Sequence, residues 1–205
     1  MTKQGRINDF IGLWQNYAPE NSDELVIGNN KLMDYLENEG FFTAPASTKY
    51  HGAYEGGLYD HSKQVFLRLQ ELTEKNDLEW ERPESPFIIG MFHDLCKCDQ
   101  YVLVTRDEYV SNGKGQLENT AVVDHYEYNT NTLLKGHGTK SVMILSQFIN
   151  LTEEEMLCIR YHMGAYGNEQ EQKDEWAGFD KAIKKYSNVF AAHAADMLAS
   201  KIDGV

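Results

Sequence analysis

The stretch Ser85 to Lys97, S-P-F-I-I-G-M-F-H-D-L-C-K, places the strongest demand on any fold of this chain, because it sets a His-Asp pair beside an apolar helical stripe. Pro86 suits a first helical turn, and Ile88, Met91, Phe92 and Leu95 recur at i, i+3, i+4 and i+7. On one continuous helix His93, Asp94 and Lys97 share the side opposite that stripe, with Gly90 one turn earlier. The glycine predicts a close approach at that face. An imidazole next to a carboxylate, lifted out of bulk water, can ligate a divalent cation, and a lysine one turn on can neutralise a phosphate. By itself the pair fits better a histidine at the edge of a core with a capping or ion-paired aspartate.

A chain of 205 residues is long enough for one sizeable core, and its composition marks no linker between two. One domain over 1–205 is expected. The net charge of -13 opposes extended binding to a nucleic-acid backbone, although a small anion held by a local metal stays compatible with it. No apolar run approaches the roughly eighteen residues of a membrane span, and the first ten residues lack the apolar centre of a signal peptide. Three cysteines, with Cys96 and Cys98 too close for an ordinary disulfide in one helix, predict reduced thiols used in packing. Together these features predict a soluble, cytoplasmic protein.

Ile7, Phe10, Ile11 and Trp14 recur at helical spacing between Gln4 and Tyr17, and a second helix is expected over about Asn30 to Asn38. With the Gly- and Pro-rich segment that follows, residues 1–50 read as a helical preface and connector. Gly56 and Gly57 open a helix running to about Lys75, on which His61 lies between Leu58 and Val65 on the buried face. A buried imidazole needs a partner, which could be a backbone carbonyl as well as a metal. Tyr101 to Thr105 and Ala121 to His125 read as short strands around a turn containing Asn112-Gly113 and Gly115, hence a hairpin inserted at about 100–126.

In G-H-G-T-K-S, His137 stands between two glycines just before a helix carrying Val142 and Leu145. Thr152 and Glu155 form a capping box for the next helix, which stops at Gly164 and leaves His162 at its end. Gly167 to Gly178 is acidic and shows no periodicity, so a surface loop is expected. On the last helix, about Ser187 to Ile202, Val189, Ala192, His193 and Asp196 share one face. An aspartate among small apolar residues is costly to bury unless a cation compensates it.

The ordered words G-G-L-Y-D-H-S at His61, F-H-D-L-C-K at His93 and Asp94, G-H-G at His137, R-Y-H-M-G at His162 and H-A-A-D at Asp196 resemble the motif blocks of the HD-domain metal-dependent phosphohydrolase superfamily. They span residues 56–200, which would form the metal-binding core. The resemblance implies an all-α HD-domain helical bundle with the small hairpin inserted. It implies one metal on His61, His93, Asp94 and Asp196, and a second on His137 and His162 with Asp94 bridging. Lys97 would stabilise charge on a bound phosphate, Arg160 is a further candidate for substrate binding, and His193 would support Asp196 or a metal-held water from behind.

Two cations sharing a carboxylate can acidify a water and polarise phosphoryl oxygens, and imidazole with carboxylate suits Mn, Fe, Co, Ni or Zn. The implied activity is hydrolysis of a phosphoester of a nucleotide or similar small phosphorylated metabolite. Y-H-G-A-Y-E-G-G-L also resembles the HD domain of certain bacterial exoribonucleases, which makes a phosphodiesterase or 3′-5′ exoribonuclease the alternative. A mixed-valence di-iron oxygenase would use the same kind of ligand set.

Overall fold

The apolar periodicities fold as helices around one aromatic and aliphatic core in a computed structural model, which describes residues 1–18, 29–111, 117–165 and 169–205. Helices α1 (Lys3–Tyr17) and α2 (Asn29–Asn38) precede α3 (Gly57–Asn76), α4 (Ser85–Phe92) and a 3-10 turn, Leu95–Cys98. Strands β1 (Tyr101–Ser111) and β2 (Leu117–Tyr128) follow, then α5 (Gly138–Leu145), α6 (Glu153–Tyr161), α7 (Glu169–Lys185) and α8 (Asn188–Leu198) with a π turn, Ala199–Asp203. The protein is mostly helical with one small antiparallel sheet. Among the described residues no helix is long and apolar enough to cross a membrane.

Helix α4 is the centre of the packing, in contact with α3 on one side and α6 on another. Every one of its residues is buried, so the apolar stripe is one part of a helix enclosed all round. Phe87 meets Trp14 of α1 and Phe66 of α3 edge to face, with ring centroids 5.8 and 5.3 Å apart. A Cβ on Gly90 would lie 2.4 Å from Phe66 Cα, so the close approach predicted at this glycine is the backbone of α3. The start of α4 is anchored from α6. Thr152 and Glu155 make the expected capping box, and the buried Glu155 carboxylate also receives the Arg82 guanidinium and the Ser85 hydroxyl.

The single helix expected from Ser85 to Lys97 ends early. His93 is the last residue in helical conformation, and Asp94 leaves it at φ -104 and ψ 19 before the chain tightens into the 3-10 turn. Residues i and i+3 eclipse in such a turn. Lys97 therefore stands over Asp94, with its backbone nitrogen 2.9 Å from the Asp94 carbonyl and its ammonium 2.6 Å from the carboxylate.

The hairpin is longer than the expected short strands, beginning at the pair Tyr101↔Tyr128 and running to Ser111↔Leu117. The turn expected at Asn112-Gly113 and Gly115 lies outside the described residues. Segment 169–178, expected as loop, is instead the first part of α7. Its Glu, Gln and Lys residues are good helix formers, and Phe179 and Ala182 bury the far end of the helix against the core.

Candidate metal centre

Four imidazoles and two carboxylates from separate elements meet in the interior. His61 comes from α3, His93 and Asp94 from the break after α4, His137 from the start of α5, His162 from the end of α6, and Asp196 from α8. All are buried except His137, which is partly exposed. His61, His93 and Asp94 form one group of ligand atoms mutually within 4.8 Å, and Asp94, His137 and His162 form another. Asp94 belongs to both. Its Oδ2 lies 3.6 and 3.4 Å from the Nε2 atoms of His61 and His93, whereas Oδ1 lies 3.0 and 3.4 Å from those of His137 and His162. Asp196 Oδ1 is 3.2 Å from His61 Nε2, which sets it beside the first group.

The outer nitrogens fix how the rings point. Nδ1 of His61, His93 and His162 lies 2.8, 2.9 and 2.8 Å from the carbonyls of Val205, Gly90 and Ile159. Those carbonyls can only accept, so each Nδ1 carries a proton and the ring turns Nε2 inward. Yet His61 and His93 face each other Nε2 to Nε2 at 3.3 Å, and His137 and His162 do so at 3.1 Å. Ring nitrogens buried at that separation either share a proton or are drawn together on a cation. Asp94 Oδ1 and Asp196 Oδ2 are buried without a hydrogen-bond partner, despite the histidines around them. Carboxylate and imidazole atoms gathered at these distances, with two carboxylate oxygens left without a partner, suit shared coordination of a borderline divalent metal. These buried His and Asp groups could hold a metal ion.

The close approach of the second group depends on Gly138, where a Cβ would lie 2.4 Å from the Arg160 carbonyl oxygen. Without a side chain there, α5 starts against the end of α6, which brings His137 to His162. The Cys96 N–H donates to Ser141 Oγ at 3.0 Å, and Lys140 pairs with Asp99, so α5 is also tied to the 3-10 turn. Gly138→Ala is expected to weaken metal binding about 10-fold or more, in the range seen when support for ligands is lost. Calorimetric metal titration checks this; unchanged affinity would show that the approach of α5 is unimportant.

Burial alone would push the Asp94 carboxyl up, but Lys97, His93 and His137 outweigh it and hold it well below the ordinary carboxylate range. Asp196 is likewise pushed up by burial and brought down further by His61, His162 and His93. Burial lowers His137, with Asp94 opposing, which favours the neutral ring a metal requires. A depressed carboxyl stabilises the fold above its unfolded pKa of about 4, and that contribution is lost as pH falls through the folded value. The metal-free protein should therefore lose stability on acidification below about pH 5, and Asp196→Asn should flatten that dependence. Urea midpoints across pH test it, with identical slopes for both proteins as the contrary result.

The remaining sequence candidates occupy different places. Lys97 is buried and engaged by Asp94, yet it also lines an open cavity of about 490 Å³ that reaches His137 and Asp196. Arg160 lines the same cavity but is paired to Glu175 at 2.5 Å and lies over the Tyr161 ring. His193 is placed behind His162. Its Nδ1 lies 2.6 Å from the His162 carbonyl, so it steadies the backbone of that residue.

Sequence reasoning left His51 without a role and gave Cys96 only a packing one. Cys96 Sγ lies 3.2 Å from His137 Nδ1, and burial, followed by Asp94, raises the thiol to about 12 and keeps it protonated. The His51 ring centroid is 5.0 Å from that of His61, and the cavity reaches it. Burial, then His61, lowers it to about 4, and its Nδ1 has no partner. Position within Y-H-G and F-H-D-L-C-K was the one available signal, and both words carry the resemblance.

No protein-family model, curated protein or solved structure matches the chain.

Proposed function

We propose that this protein is an HD-domain phosphohydrolase that uses divalent metal to cleave a phosphoester of a nucleotide or similar small phosphorylated metabolite. The observation that carries the proposal is Asp94, which turns one oxygen to each of two imidazole groups, next to an open cavity lined by Lys97, His137 and Asp196. The order of these ligands along the chain is that of the resemblance in the sequence. Divalent metal in this site would supply Lewis-acid polarisation of the phosphoryl group and acidify a water.

The chain's own residues would do the rest. The carbonyl-bound Nδ1 atoms of His61, His93 and His162 hold the rings so that Nε2 faces inward. Lys97 holds the Asp94 carboxylate ionised and offers further N–H donors to phosphate oxygens. Extended nucleic acid is disfavoured as a partner by the net charge of -13, which leaves a small phosphoester as the substrate class.

Phosphate release from a panel of ribo- and deoxynucleotides, with Mn added, tests the reading. Release from a few monophosphates, abolished by chelation, is the expected result. Cleavage of oligonucleotides or cyclic dinucleotides alone would transfer the proposal to the phosphodiesterase alternative. Oxygen consumption by iron-loaded protein without phosphate release would replace it with the oxygenase.

A further inference from the structure

The cavity has chemistry beyond its floor. At its mouth stand Tyr50, Tyr101 and Tyr128, two of them largely open to solvent at 79% for Tyr50 and 66% for Tyr128. Tyr101 and Tyr128 are the first cross-strand pair of the hairpin, with ring centroids 5.3 Å apart. The root of the hairpin is fixed to the turn that carries Lys97: the Asn129 N–H donates to the Gln100 carbonyl, and the Asn129 side-chain amide donates to the Asp99 backbone carbonyl. The aromatic pair is thus held at a set position relative to the ligand cluster.

The cationic side chains lining the cavity are not equivalent. Lys97 is taken up by Asp94, and Arg160 by Glu175. Lys201, on the π turn that ends α8, lines the same cavity and makes no ion pair among the described residues. An anion entering would find this ammonium free, and its flexible stem lets it follow the ligand. Aromatic faces and a free cation that line one cavity with His137 and Asp196 match a flat ring joined to a phosphate. The volume lies within the range of small-molecule sites.

Resting on the phosphohydrolase reading, we propose that the mouth selects nucleoside monophosphates, with Tyr128 and Tyr101 giving the base an aromatic surface and Lys201 engaging the phosphate. Base stacking on an aromatic side chain is worth about 1–3 kcal/mol, or roughly 5- to 150-fold in affinity. A substrate lacking the base should lose that advantage.

The test compares adenosine 5′-monophosphate with ribose 5-phosphate on Mn-loaded protein, together with saturation-transfer NMR of adenosine on Zn-loaded protein. Wild type should show a KM for the nucleotide about 10-fold below that for the sugar phosphate. In Tyr128→Ala the two KM values should converge, and in Lys201→Ala both should rise together. The adenine protons should receive saturation from wild type and little from Tyr128→Ala. Equal KM values in wild type, or adenine saturation that survives Tyr128→Ala, would overturn the base site while leaving the phosphohydrolase standing. If neither compound releases phosphate, the phosphohydrolase reading falls and the NMR decides the aromatic site: saturation lost in Tyr128→Ala upholds it, and no saturation in wild type overturns it.

Discussion

Asp94→Asn should reduce metal-dependent phosphate release on the order of 10³-fold or more, since the loss of several kcal/mol of stabilisation at the reacting centre has that consequence. One carboxylate faces both imidazole groups, so its replacement weakens two sites together. The amide keeps the shape but not the charge that Lys97 and any metal would meet. His162→Ala provides the comparison, because it removes a ligand from the second group only. If the reading is right, Asp94→Asn loses metal from both groups, whereas His162→Ala retains metal at His61 and His93. Full activity in Asp94→Asn would refute the proposed role of the shared carboxylate.

Glu155→Ala is expected to destabilise the fold by about 3–5 kcal/mol, the cost of breaking a buried ion pair by deleting one partner. The Glu155 side chain is 0% exposed and holds four things at once: the Arg82 guanidinium, the Ser85 hydroxyl, the Thr152 backbone N–H and, through the cap, the first turn of α6. Its loss leaves the buried Ser85 hydroxyl without that acceptor at the head of α4, the helix that delivers His93 and Asp94. Glu155→Gln keeps an acceptor for the cap and should recover part of the loss. Urea unfolding measures both, and a change in Glu155→Ala below about 1 kcal/mol would show that α4 is anchored by its apolar contacts alone.

The buried cluster was partly legible because several of its members sit where a helix period or a cap assigns a place. His61 lies inside the stripe of α3, Asp196 inside that of α8, and His162 just beyond a capped helix, so local pattern alone pointed them inward. The break at Asp94 was hidden because a period of 3.6 and one of 3.0 scarcely separate over the four residues from Asp94 to Lys97. The helix α7 was missed because its apolar residues, Trp176, Phe179 and Ala182, begin only halfway along a polar run. His51 and Lys201 line the cavity, and Cys96 touches His137 behind it, through meetings of elements distant in sequence. No local periodicity encodes such meetings.

Cobalt(II) titration of the metal-free protein, followed by visible absorption and calorimetry, addresses the two-group centre most directly. The arrangement around Asp94 predicts two ions per chain in wild type, loss of both in Asp94→Asn, and survival of one in His162→Ala. Absence of cobalt binding in wild type, or an unchanged titration in Asp94→Asn, would contradict it.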